Sequence, residues 1–359
     1  MTIASGGDDA SPLDSPVLIA QRDPAAFHRL LARLPEQCRE AWALAWSWRL
    51  PPTFHAPSRV VLIGVGGSAI GPDIVATLAR LRGHVPMEVV RGYQAPALDG
   101  DALVIACSFS GNTEETVAAL ETTLATPGMR IAITTGGRLA AFAQERSVPL
   151  LSYAWAGAPR TALGYGLFTT LGLVVRLGAI DISEDEVTAA ISAAGEATRG
   201  YGLDEPMNEA KRLAIAIGDR VPVIIGADFL EVAARRFATE VNENAKQWAF
   251  SAALPEFNHN ALQALAGPAD TPRALVPIIL DAPTVHPRNR RRVQETVRMF
   301  SEADTPPLVI DVGGGTPLEA IVRATSLASW TSYYLAMLHS VDPTPVDALN
   351  TFKARMARD

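Results

Sequence analysis

The sequence predicts an α/β protein with two tandem domains, each a parallel sheet flanked by helices in a doubly wound arrangement. Apolar runs of strand length, such as Val60–Ile63 and Leu103–Cys107, alternate with segments of helical periodicity. Continuous apolar runs are typical of strands that are buried on both faces, and strands that alternate with helices form parallel sheets. A second series of the same kind starts at Val221, which indicates a second domain of similar plan.

The predicted elements follow in a regular order along the chain. Two lead-in helices are expected between Phe27 and Trp48, because apolar residues recur there at helical spacing around a break at Pro35. The predicted strands are Val60–Ile63, Met87–Arg91, Leu103–Cys107, Arg130–Thr134, Val148–Leu151, Val221–Gly226, Leu275–Asp281 and Leu308–Val312. One predicted helix ends at about Arg82, two others begin at Glu114 and at Leu139, and a last one lies around Lys353. The remaining predicted helices are Leu163–Leu177, Glu184–Ala197, Asn208–Ile217, Phe229–Val241 and Leu318–Leu338.

These elements divide the chain into a tail and two domains. Residues 1–25 are expected to form an acidic disordered tail, because glycine, aspartate and proline dominate its first part. Residues 26–180 are expected to form the N-terminal domain with its lead-in helices. Residues 181–359 are expected to form the C-terminal domain with linker helices and a C-terminal helix. Two domains of one plan leave a cleft at the carboxyl ends of their strands.

The composition argues against several classes of function. Of 359 residues, 31 are Lys or Arg and 38 are Asp or Glu, which gives a net charge of −7. Because no run of basic residues occurs, we expect no nucleic-acid partner and no anionic membrane partner. The least polar stretch, Thr161–Val175, is shorter than the roughly 20 apolar residues of a spanning helix. The N-terminus lacks the features of a secretory signal, so we expect a cytoplasmic protein.

Neither a disulfide framework nor a metal site is expected. Cys38 lies in a helical pattern and Cys107 ends a strand, so the two cysteines are isolated from each other. The sequence shows no cluster of residues with the spacing of metal ligands. We therefore predict a protein without a metal.

A hydroxyl-rich loop is the first candidate binding site. Ser108, Ser110 and Thr113 surround Gly111 where an apolar strand turns into a helix. The first amides of a helix carry the positive end of its dipole, so such a turn can bind a phosphate through amides and hydroxyls. The alternative is an ordinary capped helix, with Asn112 as the N-cap and a capping-box glutamate three residues later. Three hydroxyls favour the phosphate site, because a cap needs only one.

A glycine-rich loop after the first strand allows a different interpretation. Gly64, Gly66 and Ala69 match the dinucleotide-binding fingerprint, and Glu88 or Arg91 at the end of the next strand would meet the ribose. This pattern alone is a weak signal. It keeps an NADP-dependent oxidoreductase open as an alternative function.

The same loop also suits a sugar phosphate. Gly66 and Gly67 would let the backbone approach a ligand that is held at the neighbouring hydroxyl-rich loop, and Ser68 would add a hydroxyl. A tight turn that needs positive φ explains the glycines but not Ser68.

A second constellation lies in the other half of the chain. Glu243 and His259 occur among asparagines and aromatic residues rather than on an evident solvent face. Asn242 and Asn244 on either side of Glu243 suggest an irregular turn after a helix, because asparagine tolerates the left-handed backbone. The alternatives are a surface pair between Glu243 and Lys246, and a histidine with only a structural role.

Four motifs occur in order with suitable spacing from about Val60 to the C-terminus. They are Gly66-Gly67-Ser68, Ser108-x-Ser110-Gly111-Asn112-Thr113, Asn242-Glu243-Asn244-x-Lys246 and Pro255-Glu256-x-Asn258-His259-Asn260. Together they resemble the bifunctional phosphoglucose/phosphomannose isomerase family of the sugar isomerase (SIS) superfamily. The resemblance implies two tandem SIS domains with flavodoxin-like parallel sheets. It also implies aldose-ketose isomerisation of a hexose 6-phosphate through a cis-enediolate, without metal or cofactor.

The resemblance implies a role for each matched position. Glu243 would be the catalytic base, Arg160 would lie near the reacting carbons, and His259 and Lys353 would serve ring opening. The substrate-binding residues would be Gly66, Gly67, Ser68, Ser108, Ser110 and Thr113. The family forms homodimers with shared active sites, in which the histidine reaches the site of the neighbouring subunit.

The chemistry needs the same residue types. Moving a proton between C2 and C1 requires a carboxylate that takes and returns it, and the enediolate charge requires a fixed cation. A non-catalytic SIS module that senses a sugar phosphate would need the phosphate loop but not Glu243, His259 and Arg160 together. The sequence leaves the choice between glucose and mannose 6-phosphate open, and the resemblance implies a threonine near the C-terminal loop as its determinant, for which Thr344 is a candidate.

Overall fold

The computed structural model describes residues 12–82, 85–268 and 274–356. Two parallel sheets flanked by helices organise this part of the chain, so the predicted α/β fold is confirmed. Most predicted strands and helices agree with the structure to within one or two residues at each end. None of the helices in the described residues combines the length and the apolarity needed to cross a bilayer.

The first sheet has five parallel strands in the order β2-β1-β3-β4-β5, which is the flavodoxin-like order. Its strands are β1 (Val60–Ile63), β2 (Met87–Val90), β3 (Leu103–Ser108), β4 (Met129–Thr134) and β5 (Leu150–Ser152). The helices of this half are α1 (Pro16–Arg22), α2 (Phe27–Ala32), α3 (Leu34–Ser47), α4 (Ile70–Arg82), α5 (Glu114–Thr123), α6 (Gly137–Glu145) and α7 (Leu163–Arg176). Because β1 and β3 are parallel neighbours, the loops after them meet at the carboxyl end of the sheet.

The second sheet has four parallel strands in the order β7-β6-β8-β9. Its strands are β6 (Val221–Ala227), β7 (Phe250–Leu254), β8 (Leu275–Asp281) and β9 (Leu308–Asp311). Its helices are α8 (Glu184–Tyr201), α9 (Glu209–Ile217), α10 (Glu231–Glu240), α11 (Pro287–Glu302), α12 (Pro317–Leu338) and α13 (Asp347–Met356). A π-helical segment, Val241–Ala245, continues α10.

One continuous apolar core connects the two sheets. It includes Leu62 and Ile131 from the first sheet, Phe237 from α10 and Tyr333 from α12, all fully buried. A smaller apolar cluster fills the other face of the first sheet. The domain boundary expected near residue 180 stays a prediction, since this core runs across it.

The expected disordered tail is wrong for residues 12–25. These residues form a 3₁₀ turn (Pro12–Asp14) and α1, Leu13 is fully buried in the core, and Asp14 pairs with Lys211 at 2.6 Å. Asp23 then caps α2 by accepting a hydrogen bond from the Phe27 amide at 2.6 Å. The acidic, glycine-rich composition belongs to residues 1–11, which lie outside the described residues.

Two features of the second half of the chain could not be read from the sequence: the edge strand β7 and the exposure of the C-terminal helix. Strand β7 pairs with β6 at the edge of the second sheet, although its small residues give no apolar run. Helix α13 buries none of its residues, so its apolar side chains Leu349, Phe352 and Met356 are exposed. The helix predicted around Lys353 is therefore present, but its apolar residues do not pack into the core.

Candidate active site

The hydroxyl-rich loop leaves the start of α5 without a side-chain cap. Ser108 ends β3 and its Oγ lies 2.9 Å from Thr113 Oγ1. Thr113 occupies the N-cap position of α5, but its side chain does not accept a hydrogen bond from the helix. Asn112, the expected N-cap, instead accepts a hydrogen bond from the Arg138 amide at 3.1 Å. The capped-helix alternative is therefore wrong, and the first amides of α5 are available to an anion.

Close backbone packing shapes this loop. Gly111 has a φ of +66°, and a Cβ built on it would lie 1.8 Å from the Gly136 carbonyl oxygen. Only glycine fits such a position. The exposed Ser110 accepts a hydrogen bond from the Asn112 amide at 3.2 Å. The loop therefore presents its hydroxyls from a rigid backbone.

The glycine-rich loop contacts the hydroxyl-rich loop directly. Ser68 Oγ accepts a hydrogen bond from the Phe109 amide at 2.9 Å. Gly66 has a φ of +58°, and a Cβ on Gly67 would lie 3.4 Å from the Arg160 amide nitrogen. The structure thus brings together the two loops and the backbone of the Arg160 turn.

The two residues proposed for a nucleotide ribose have other partners. Glu88 forms an ion pair with Arg59, and Arg91 forms an ion pair with Asp73. Both side chains are neutralised within the fold, which argues against the dinucleotide interpretation of the glycine-rich loop.

Arg160 is buried between the two halves of the molecule. It lies in a 3₁₀ turn, Pro159–Thr161, and only 4% of its surface is exposed. Its Nε donates to Asn244 Oδ1 at 2.6 Å, and its Nη2 donates to the carbonyls of Pro343 and Thr344 at 2.5 and 2.9 Å. Burial lowers the pKa of Arg160, and the charge of Glu243 opposes this effect. A guanidinium remains cationic in proteins, so the site holds a fixed positive charge.

Glu243 lies beside this cation. Its Oε2 is 3.7 Å from Arg160 Nη1, and 30% of its side chain is exposed. The residue belongs to the π-helical segment, where an irregular turn was expected, and the left-handed residue that ends the segment is Lys246 rather than an asparagine. The wider turn of a π-helix is frequent at functional sites. Glu243 is therefore held near Arg160 while one side remains open.

A network of buried hydrogen bonds holds the backbone of Arg160 and its partner Asn244 in place. Arg236 donates to the Arg160 carbonyl at 2.5 Å and to Glu240 Oε1 at 2.5 Å, and Ser329 donates to both oxygens of Glu240. Asn244 Nδ2 donates to Ser332 Oγ at 2.9 Å. Burial raises the pKa of Glu240, and the Arg236 charge lowers it.

Sequence reasoning missed this network. The spacing of Arg236 and Glu240 is the i,i+4 spacing of an ordinary surface pair, so no local signal separates it from one. Both side chains are at most 3% exposed. Their burial is visible only in the folded molecule.

Within the described part of one chain, neither His259 nor Lys353 forms a hydrogen bond or an ion pair with Glu243. His259 ends the 3₁₀ turn Glu256–His259, and Lys353 lies on α13. Both side chains are exposed, and neither forms a hydrogen bond or an ion pair in the described part of the chain. The structure therefore links the hydroxyl-rich loop through the glycine-rich loop to Arg160, which lies beside Glu243, and leaves His259 and Lys353 at the surface.

Thr344 lies next to this group through its backbone. Its carbonyl accepts a hydrogen bond from Arg160, and its hydroxyl is buried without a hydrogen-bond partner among the described residues. Within the same part of the chain, no three His, Cys, Asp or Glu side chains are gathered as metal ligands.

Comparison with known proteins shows the family. A family model described as the bacterial phospho-glucose isomerase C-terminal SIS domain matches residues 206–356. A protein of Caldicellulosiruptor bescii named bifunctional phosphoglucose/phosphomannose isomerase is 31% identical over 90% of this chain and 97% of its own. A protein of the same name from Thermoplasma acidophilum is 31% identical over 84% of this chain and 90% of its own.

A solved structure supports the fold. The crystal structure of a hypothetical protein from Thermus thermophilus superposes with a TM-score of 0.73 at 17% identity, covering 95% of this chain and 92% of the other. The sequence relatives also show the family, because they are 31% identical over most of the chain. The chain belongs to the bifunctional phosphoglucose/phosphomannose isomerase family, a family of sugar-phosphate isomerases.

Proposed function

We propose that this protein interconverts glucose 6-phosphate or mannose 6-phosphate with fructose 6-phosphate, without a metal. The proposal rests on the pair of Glu243 and Arg160, 3.7 Å apart, and on the glycine-rich loop that connects the Arg160 turn to an uncapped helix start with three hydroxyls. A phosphate sensor would need the helix start alone. An isomerase needs the carboxylate and the cation as well.

The substrate phosphate binds to the hydroxyl-rich loop in this proposal. Ser108, Ser110 and Thr113 would coordinate its oxygens together with the first amides of α5, and Ser68 would hold the neighbouring loop in place through Phe109. Hydrogen bonds to a charged phosphate are roughly twice as strong as hydrogen bonds between neutral groups. The sugar would then extend from this loop toward Arg160.

Glu243 is the proposed base for the open-chain sugar. It would remove the proton from C2 and return it to C1, or the reverse, through a cis-enediolate. Arg160 would stabilise the negative charge that develops on the oxygens, since its guanidinium is already buried and oriented by three hydrogen bonds. A preoriented cation of this kind needs little reorganisation during the reaction.

Ring opening is the proposed role of His259 and Lys353, and it implies a homodimer with shared active sites. Both residues are exposed and make no hydrogen bond to the other site residues of the described chain. Strand β7 is a sheet edge that begins at Phe250, whose ring stacks on that of Trp248 with the ring centroids 5.9 Å apart. The two residues are 53% and 72% exposed. Exposed apolar patches of this kind mark interaction sites.

A coupled assay with both hexose 6-phosphates tests the reaction. We expect wild-type turnover with at least one of them, and a loss of about 10²- to 10⁴-fold in kcat for Glu243→Gln with little change in substrate binding. Glu231→Gln is the matched control, because this carboxylate is exposed on α10 and pairs only loosely with Arg235 at 3.9 Å. Binding of hexose 6-phosphate without turnover would support the sensing module instead. Bound NADP, detected by absorbance, would support an oxidoreductase.

Mixing two inactive variants tests the shared site. In a random mixture of Glu243→Gln and His259→Ala chains, half of the dimers are heterodimers, and each has one intact site of two. We therefore expect roughly one quarter of the wild-type activity to return, as twofold symmetry requires. If both variants bind substrate and exchange subunits but remain inactive, each site is built within one chain.

A further inference from the structure

Lys246 makes its hydrogen bonds to backbone carbonyls rather than to carboxylates. Its Nζ donates to the carbonyls of Glu243, Asn244 and Pro343 at 2.8, 3.3 and 3.2 Å. An ammonium has three donors and no acceptor, so these bonds use its whole capacity. Two of the acceptors belong to the π-helical segment that carries Glu243, and the third belongs to the loop after α12. The side chain therefore joins two separate parts of the site.

The backbone at Lys246 is in an unfavourable conformation for a lysine. Its φ and ψ are 55° and 31°, in the left-handed region. Helices commonly end on glycine in this region, and another residue there costs roughly 1–2 kcal/mol. Six other non-glycine residues of the described chain share this region, so the conformation alone assigns Lys246 no role. Its role follows from the three hydrogen bonds of its side chain.

The Pro343 carbonyl connects Lys246 to Arg160. The same oxygen accepts hydrogen bonds from Lys246 Nζ at 3.2 Å and from Arg160 Nη2 at 2.5 Å. Asp342 fixes this loop by accepting a hydrogen bond from the Thr344 amide at 2.8 Å. A shift of this loop would move Arg160 relative to Glu243.

We propose that Lys246 is a positioning residue for isomerisation. It holds the Glu243 segment and the Pro343–Thr344 loop in a fixed relative position and so sets the distance between Glu243 and Arg160. This proposal rests on the function proposed above. Lys246 acts on the reaction through Glu243 and Arg160 and needs no contact with the substrate.

The charge of Lys246 is sensitive to pH. Although much of the residue is exposed, desolvation of its ammonium lowers the pKa of Lys246 to about 8, and the nearby charge of Arg160 adds to this effect. The carboxylates of Asp342, Glu243 and Asp347 face it and oppose the shift. Above this pH the lysine loses its charge and one of its three donors. The loop and the Glu243 segment are then held less firmly, so kcat is expected to fall on the alkaline side.

Two substitutions separate positioning from simple stabilisation. Lys246→Gly relieves the left-handed strain, which offsets part of the stability lost with the three side-chain hydrogen bonds, so the variant should fold. We expect its kcat to fall about 10- to 100-fold, because a misplacement near 1 Å can cost this much, while KM changes less. Lys246→Arg keeps its charge at high pH. The alkaline limb of the pH profile, which is the fall of kcat near pH 8, should therefore move to higher pH even though the bulkier side chain lowers kcat.

The measurement is the pH profile of kcat for wild type and both variants. Lys211→Arg is the control, because Lys211 on α9 also donates to backbone carbonyls but pairs with Asp14, and its substitution should leave the alkaline limb in place. A Lys246→Gly variant with wild-type kcat, or an unchanged limb near pH 8 in Lys246→Arg, overturns the proposal. A wild-type protein that isomerises neither sugar phosphate overturns the proposed function itself, and the two failures are therefore distinguishable.

Discussion

Replacing Gly111 with alanine tests whether the hydroxyl-rich loop binds the phosphate. A Cβ at this position would lie 1.8 Å from the Gly136 carbonyl oxygen and 3.0 Å from Thr134 Oγ1. To reach an ordinary contact of 3.4 Å, the backbone must move by about 1.6 Å (3.4 minus 1.8 Å). The positive φ adds roughly 1–2 kcal/mol of conformational cost for a residue with a Cβ. The loop can then no longer present its hydroxyls and amides in one arrangement.

The expected effect is a loss of phosphate affinity. A hydrogen bond to a charged group contributes about 1.5–3 kcal/mol, and tenfold in affinity corresponds to about 1.4 kcal/mol. The loss of one such bond in Gly111→Ala should therefore raise the dissociation constant by roughly 10- to 100-fold. Calorimetric titration with glucitol 6-phosphate, which has the phosphate but no carbonyl to isomerise, measures this constant without turnover.

Gly178→Ala is the matched control for this experiment. Gly178 has a φ of +68°, nearly the same as that of Gly111, but a Cβ there meets nothing within 4 Å. It should therefore lower the melting temperature by the conformational cost alone and leave the dissociation constant unchanged. If Gly111→Ala is folded and binds glucitol 6-phosphate as tightly as the wild type, the phosphate binds elsewhere and our assignment of the loop is wrong.

Two further predictions concern the support of the site and its C-terminal helix. Arg236→Met should lower the free energy of unfolding by about 3–5 kcal/mol, because the Glu240 carboxylate remains buried without its cation. Denaturant titration measures this, and a loss below about 1 kcal/mol would show that the buried pair contributes little to stability. Lys353→Ala should slow turnover of the closed sugar, and Lys353→Arg should not restore it, because arginine cannot readily release a proton. Near-normal kcat for Lys353→Arg at matched stability would show that this residue supplies no proton.

The sequence by itself predicted the order of secondary structure well. The buried strands β1, β3 and β8 are continuous apolar runs, and a local run of this kind is sufficient to identify a strand buried on both faces. Edge strand β7 escaped prediction because its middle residues are small and it carries no such run. The N-terminal residues 12–25 escaped it because Leu13 and Ile19 contribute only a few apolar positions, whose burial depends on the surface that receives them.

The sequence also determined the chemistry that the site can hold, through residue types at local spacing. Three hydroxyls within six positions, 108 to 113, and a carboxylate among asparagines are visible without a structure. Only the tertiary structure decided how they are assembled. Arg160 donates to residues 84 and 183 positions away in the chain, and Lys246 reaches across 97 positions to Pro343. Contacts at such separations depend on the packing of both sheets around one core, which no local pattern records.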